Sequence, residues 1–390
     1  MKIKKLPLLL KIVIAIVLGV LLGLVMPDCG LRVMSTLCGL FDQLLRFLIP
    51  LIIVGLVTPA IADVGAKAGR MLLLTVGLAY AFTVFSGLFA YGFSTALFPQ
   101  IIGGTTLSLP AEDMGGAADI APYFTIALPP LMDVMTALVL SFMLGLGIAF
   151  FHAPALRRGF DELRAIVVRT IEGVVIPLLP VYIFGLFLSI SAAGKVASVL
   201  EAFVAIVVVI FVMTMVLLLL QYGVAGIICR RNPLRLLRQM LPAYFTALGT
   251  ASSAATIPVT LRQTVGNGVS EAVAGFTVPL CATIHLSGST LKITSCAVAL
   301  MIMQGMAFDF PMMLGFVMML GVTMVAAPGV PGGAIMAALG VLESVLGFDA
   351  QQQTMMITLY IAMDSFGTAC NVTGDGAIAL IVDKLKNRKK

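Results

Sequence analysis

The sequence has few of the groups that soluble enzymes and nucleic-acid-binding proteins use. Among its 390 residues there is no tryptophan, there are only two histidines, and 11% of the residues are charged. Two isolated histidines without a Cys/His grouping argue against a metal centre or a nucleophile–base pair, so we predict that the chain is not an enzyme and binds no cofactor. The net charge of +6 does not indicate nucleic acid binding, because the basic residues lie in short connectors and at both ends.

Apolar residues, in contrast, make up 60% of the chain, which predicts a multi-pass membrane protein. Runs of membrane-crossing length predict six spans in the first part of the sequence. These spans are residues 8–26, 34–61, 71–97, 131–151, 165–190 and 199–228.

Charge in the connectors predicts the orientation. Basic residues cluster on one side of the predicted spans, at 2–5, 67–70, 157–164, 230–238 and 384–390. The positive-inside rule then places both termini in the cytoplasm of a plasma (inner) membrane protein. This orientation requires an even number of crossings, and eight crossings fit.

Two later hydrophobic stretches are interrupted near their middles. Residues 241–265 contain GTASSAATIP at 249–258, and residues 310–346 contain APGVPGG at 327–333. Because each half is too short to cross a bilayer, each stretch is predicted to form a re-entrant hairpin. The alternative, two kinked crossing helices, would also leave an even number of crossings.

Each interrupted stretch is followed by a span with polar residues, at 272–303 and 363–382. This inverted twofold repeat is typical of secondary transporters. The predicted fold class is an all-α membrane protein with eight transmembrane helices plus two re-entrant helical hairpins. We assign residues 1–238 mainly to a scaffold, with spans 3 and 6 shared, and residues 239–390 to a transport core.

Four polar residues in the last span recur at spacings of four, three and four, which place them on one face of a helix. We call this set the polar stripe: Asp364, Thr368, Asn371 and Asp375. Hydrogen bonding between helices would explain Thr368 and Asn371 but needs no acid. Each carboxylate inside a membrane costs about 2.5–3.5 kcal/mol and needs a partner, so the stripe favours a site for a cation and a polar solute.

Three segments carry a resemblance to a known family. TASSAATIPVT (250–260), APGVPGGAIM (327–336) and DSFGTACNVTGD (364–375) resemble the hairpin tips and last helix of the dicarboxylate/amino acid:cation symporter family, which includes the glutamate transporter homologues. The resemblance implies a homotrimer whose static scaffold holds transport domains that move across the membrane, an elevator mechanism.

The resemblance also implies roles for single residues. Asp364 matches the acid that binds the amino group of the substrate, and Thr368 and Asn371 match the groups that bind its carboxylate. Asp375, together with Asn371, matches a sodium ligand. Residues at the two hairpin tips match substrate-contacting or gating positions: Ser252, Ser253, Val330, Pro331 and Gly332.

The chain departs from the family pattern at Gly367. Members that carry acidic amino acids have an arginine at this place, immediately before the threonine of the last helix. Without a guanidinium group, a second substrate carboxylate would be unpaired in a site of low dielectric constant. We therefore expect a small neutral amino acid such as serine, threonine or alanine.

The polar span departs as well, because it has HLSGS at 285–289 where the family usually has Asn-Met-Asp-Gly-Thr. Ser287 replaces an aspartate that binds sodium, while the backbone of His285 matches a sodium-binding position. Lys292 is either a lysine that reaches an interface or a tethered cation that replaces a sodium ion. His285 is either a neutral, hydrogen-bonded residue or a proton carrier, so the coupling ion is Na⁺ or H⁺.

Together these patterns predict a secondary active, cation-coupled symporter of a small amino acid. Its expected partners are a small-molecule substrate, a coupling cation and the lipid bilayer. One alternative is a proton-coupled symporter of a C4-dicarboxylate or another organic acid. The second is an ion channel, although a channel would not need an inverted pair of hairpins.

Overall fold

The computed structural model describes residues 8–66, 70–102, 121–151, 153–192, 194, 196–325, 327 and 332–387. Within these ranges the chain is helical and has no β-strand, as predicted. The helices are α1 (Leu8–Gly23), α2 (Asp28–Ala66), α3 (Arg70–Ile101), α4 (Val134–Phe151), α5 (Pro154–Thr170), α6 (Ile176–Ala192), α7 (Val196–Cys229), α8 (Pro233–Thr250), α9 (Ser253–Gly266), α10 (Glu271–Ile284), α11 (Ser287–Met303), α12 (Phe310–Val325), α13 (Gly333–Leu346), α14 (Ala350–Ala362) and α15 (Asp364–Asn387). A π-helical turn, Ile171–Val175, joins α5 to α6.

Several helical stretches of the described chain are long and apolar enough to cross a membrane. They are Asp28–Ala62, Met71–Ile101, Pro154–Ala192, Val199–Cys229 and Glu271–Met303. Helices α1, α4, α12 and α13 are apolar but shorter. The prediction of a multi-pass membrane protein is confirmed, while the number of eight crossings stays a prediction.

The N-terminal helices pack on one another, and α3 and α7 also pack extensively on the C-terminal part. Helix α1 packs along α6, and α2 packs along α4 and α5. Helix α3 contacts α11 and α12, and α7 contacts α8 and α15. Helices α13 and α14 contact the N-terminal part elsewhere, α13 on α2 and α4, and α14 on α1.

The first interrupted stretch forms two antiparallel helices, α8 and α9. Gln239 contacts Gln263 at 2.9 Å, and the Asn267 side chain donates to the carbonyl of Leu236 at 3.0 Å, so the chain reverses between them. The reversal occurs within the predicted segment 249–258, at Ala251, whose φ is +49°.

Helix α8 begins earlier than predicted, at Pro233 rather than near residue 241. The side chain of Asn232 accepts hydrogen bonds from the amides of Leu234 and Arg235, and proline suits the first turn of a helix. The predicted domain boundary after residue 238 therefore falls inside α8.

The second interrupted stretch forms α12 and α13, which pack against each other. Helix α13 starts after Gly332, whose φ of +75° favours glycine. Val330 and Pro331 lie outside the described residues.

Two further breaks between helices lie in or next to the polar spans. One lies at His285 and Leu286 between α10 and α11, inside the segment singled out in the sequence. The other, at Met363, separates α15 from α14, a helix that the sequence analysis missed. Its start is marked by a capping box between Asp349 and Gln352, a signal that the sequence contains.

Helices α11 and α15 form the most enclosed part of the chain and approach each other closely. Every residue from Ile284 to Met301, and from Gly367 to Val382, is buried. A Cβ atom added to Gly288 would lie 2.6 Å from the carbonyl oxygen of Gly367 and 2.7 Å from the Cβ of Cys370. The two helix backbones can approach this closely only because residue 288 has no side chain.

Replacing this glycine is expected to destabilise the protein. A Gly288→Ala change should cost about 1–3 kcal/mol, because the added methyl group meets backbone that must shift. The measurement is the Tm of the detergent-purified protein. The matched control is Gly275→Ala in α10, where an added Cβ has no neighbour within 4 Å. Equal Tm values for the two variants would contradict the close packing of α11 on α15.

Candidate functional site

A small polar cavity lies where the breaks in both hairpins meet α15. Its lining consists of Ala251, Ser253, Ala282, Thr283, Leu286, Ser289, Ala327, Ala334, Tyr360, Asp364, Thr368 and Asn371. The lining therefore includes four of the predicted site residues, three of which belong to the polar stripe.

The N-termini of two hairpin helices are directed to this cavity. Ser253 is the first residue of α9, and Ala334 is the second residue of α13. Free amide groups and the helix dipole make such N-termini favourable places for an anion, including a carboxylate. The cavity thus combines two anion-binding helix ends with the acid Asp364.

Asp364 is bound on both carboxylate oxygens. Lys292 Nζ lies 3.5 Å from Oδ1, and the amide of Gly332 donates to Oδ2 at 2.8 Å. Lys292 Nζ also donates to the carbonyl of Met363 at 3.2 Å and lies 3.8 Å from the centre of the Tyr360 ring. The lysine is fully buried, so it does not reach an interface, and its ammonium contacts Asp364.

Gly367 provides the space for this lysine. A Cβ atom at residue 367 would overlap Cε and Nζ of Lys292. The place where the family's arginine would begin is therefore filled by an ammonium group from another helix. This contact explains why residue 367 has no side chain and could not be inferred from the sequence pattern.

Asp375 has its own basic partner. His285 Nδ1 lies 2.9 Å from Asp375 Oδ1, and both side chains are buried. The other ring nitrogen, Nε2, has no partner within the described residues. Nδ1 is therefore the ring nitrogen that faces the carboxylate of Asp375.

Two buried side-chain oxygens at this part of α15 have no hydrogen-bond partner among the described residues. They are Gln221 Oε1 and Thr373 Oγ1. Gln221 Oε1 is 2.7 Å from the Cβ position of Gly374, the residue before Asp375, and Thr373 precedes that glycine in α15. Hard cations such as sodium prefer oxygen ligands of this kind.

Asn371 holds the N-terminus of α11. Its Oδ1 accepts from the amides of Gly288 at 2.7 Å and Ser289 at 3.4 Å, and its Nδ2 donates to Ser289 Oγ at 3.1 Å. Tyr360 donates to the same hydroxyl at 2.9 Å. Asn371 thus links α15 to α11, and it also lines the cavity.

Ser287, the residue at the expected aspartate position, contacts a residue that the sequence analysis did not select. Gln221 on α7 donates from Nε2 to Ser287 Oγ at 3.0 Å. Glutamine in an otherwise apolar helix is an expensive residue that needs a partner, and that signal was present in the sequence. Tyr360 on α14 was missed because α14 itself was missed.

Two other predicted residues are near the cavity but do not line it. Ser252 caps α9, accepting from the amide of Ala255 at 3.3 Å, and Gly367 faces Lys292. The roles assigned to the site residues by resemblance remain predictions. Chemically, the cavity has an acid for an amino group and helix N-termini for a carboxylate, so it suits a zwitterion.

Comparison with known proteins gives the family. A sequence model of the sodium:dicarboxylate symporter family matches residues 8–385. The serine/threonine transporter SstT of Acinetobacter baumannii (strain AYE) is 29% identical over 396 residues, which cover 97% of each chain. The serine/threonine transporter SstT of Streptococcus suis (strain 05ZYH33) is 28% identical over 341 residues, 85% of this chain and 94% of the relative.

The family match covers nearly the whole chain, including the polar stripe, both interrupted stretches and the polar span at 272–303. The resemblance noted in the sequence is thereby confirmed. This chain belongs to the sodium:dicarboxylate symporter family.

Proposed function

We propose that this chain is a sodium-coupled symporter of a small neutral amino acid, such as serine, threonine or alanine. The observation that carries the proposal is the cavity in which Asp364 faces the N-termini of α9 and α13. Asp364 would bind the substrate's ammonium group, and the helix ends, with Ser253 and Thr368, would bind its carboxylate. The names of the two relatives agree with this substrate class.

The preference for a neutral side chain follows from Gly367. Residue 367 offers no guanidinium group, and the adjacent Lys292 is already engaged by Asp364, the Met363 carbonyl and the Tyr360 ring. A second substrate carboxylate would therefore be desolvated without a free partner. We expect aspartate and glutamate to be rejected.

Sodium is the proposed coupling ion, because Asp375 is a buried carboxylate and the chain belongs to the sodium:dicarboxylate symporter family. An isolated charge in a protein interior is costly, so binding a cation there is favourable. The sodium ion would be held by Asp375 and by oxygen atoms near it. It would supply the positive charge that makes the occupied site neutral.

A second candidate is a symporter of a C4-dicarboxylate or another organic acid. The observation that favours it is the ammonium of Lys292 beside Gly367, where the family's arginine would stand. A substrate without an amino group could bind this ammonium if Asp364 released it. Competition by malate or succinate would support this candidate.

The larger architecture is part of the proposal. We expect eight crossings, both hairpins re-entering the membrane, and a homotrimer that works as an elevator with both termini in the cytoplasm. The transport core would comprise residues 239–390 together with α3 and α7, because these two helices pack on α11, α12, α8 and α15.

Uptake into proteoliposomes tests the function. With an inward sodium gradient, radiolabelled L-serine, L-threonine or L-alanine should accumulate above the external concentration. Accumulation should collapse when choline replaces sodium, and excess aspartate should not compete.

The other outcomes identify the alternatives. Uptake that never exceeds equilibrium would indicate a channel. Accumulation driven by a proton gradient without sodium would overturn the choice of coupling ion.

The sodium site is tested by Asp375→Asn. The change keeps the shape of the side chain but removes the charge that would bind the ion. We expect the apparent sodium affinity, measured by sodium-dependent thermal shift, to fall at least about tenfold, which is about 1.4 kcal/mol.

The control is Asp309→Asn at the exposed start of α12. Asp309 Oδ1 accepts from the amide of Met312 at 2.8 Å, and an asparagine can do the same. Its apparent sodium affinity should equal that of the wild type. An unchanged affinity in Asp375→Asn would remove this residue from the sodium site.

A further inference from the structure

Lys292 lies behind the candidate cavity and does not line it. Asp364 and Tyr360 line the cavity, and the lysine contacts both from the other side. Its ammonium is fully buried in a helix that is itself enclosed. The lysine is therefore placed as a fixed counter-ion of Asp364 rather than as a group that touches a solute.

Asp364 connects this counter-ion to the second hairpin. One carboxylate oxygen faces Lys292, and the other accepts from the amide of Gly332, which directly precedes α13. The start of α13 is thus in contact with Asp364. In this arrangement, Lys292 supplies the charge that keeps the carboxylate paired.

Two glycines permit this contact. Gly288 and Lys292 are four residues apart and lie on the same face of α11, against α15. Gly288 lets the two helices approach, and Gly367 leaves the volume that the Lys292 side chain fills. All three residues are needed to bring the ammonium to Asp364.

We propose that Lys292 is a built-in counter-ion that neutralises Asp364 in the empty transporter, so that the substrate-free site can close and return across the membrane. This inference rests on the proposed function, because it assumes that the site alternates between the two sides. When substrate is bound, its ammonium pairs with Asp364. When the site is empty, only Lys292 prevents the carboxylate from being buried unpaired.

If Lys292 has this role, net uptake should depend on the lysine more strongly than exchange does. Exchange of internal for external substrate uses only the loaded form, whereas net uptake also needs the empty form to return. An unpaired carboxylate carried through a membrane would make that return unfavourable. Loss of Lys292 should therefore impair net uptake and spare exchange.

The test compares both modes in proteoliposomes with radiolabelled L-serine. For Lys292→Met we expect net uptake driven by a sodium gradient to fall about a hundredfold, in line with the cost of an unpaired intramembrane charge. Exchange, measured in vesicles loaded with unlabelled serine and equal sodium on both sides, should stay within a few-fold of the wild type. The control is Lys386→Met, a lysine on the exposed end of α15, which should leave both modes unchanged.

A second variant moves the lysine without removing it. The methyl group of Gly367→Ala overlaps the Lys292 side chain and would displace the ammonium from Asp364. This variant should also lose more net uptake than exchange.

The outcomes separate the inference from the proposed function. Lys292→Met with both modes unchanged, or with both lost equally while the folded protein still binds serine, would overturn the counter-ion role. If Lys292→Met does not fold, Gly367→Ala is the variant that tests the counter-ion role. Equal effects of Gly367→Ala on net uptake and on exchange would also overturn that role. A wild-type protein that neither exchanges nor accumulates serine, threonine or alanine refutes the proposed function, and the inference fails with it.

Discussion

The structure depends on the pairing of two buried carboxylates of α15 with two basic side chains, one in α11 and one at the break between α10 and α11. Asp364 lies against Lys292, and Asp375 lies against His285. Charged groups inside a membrane protein are expensive unless they are paired and hydrogen-bonded. The helix that carries these acids must therefore stay packed against α11 and the preceding break, and all other elements of the C-terminal part surround that contact. The two pairs differ, because an amine faces Asp364 and an imidazole ring faces Asp375.

Small residues make this pairing possible. Gly288 allows the backbones of α11 and α15 to approach, and Gly367 leaves room for Lys292 one turn further along α11. Asn371 then fixes the register, because its side chain accepts from the amides at the start of α11. The glycine at residue 367, which in the sequence suggests only a missing arginine, is in the structure the place where another cation enters. Substrate selectivity and charge compensation are therefore two consequences of one packing arrangement.

Much of this architecture could be predicted from the sequence, for identifiable reasons. Apolar runs indicated the membrane helices, and the Gly-, Ser- and Pro-rich interruptions located the breaks after α8 and α12. The spacing of the polar stripe put Asp364 and Asp375 on one face. The sequence could not assign partners, since the contacts of Lys292 and His285 join residues 72 and 90 positions apart. It also contained signals that were not used: the capping box at the start of α14, and Gln221, a glutamine in an otherwise apolar helix.

The most direct test of the central claim is a double-mutant cycle on Lys292 and Asp364, measured as Tm of the purified protein without substrate. If the two side chains compensate each other's charge, Lys292→Met and Asp364→Asn should each lower the Tm, because each leaves one buried charge unpaired. The double variant, which buries no charge there, should have a Tm nearer to that of the wild type than either single variant. Additive decreases in Tm would contradict the account, since they would mean that the lysine and the aspartate stabilise the protein independently.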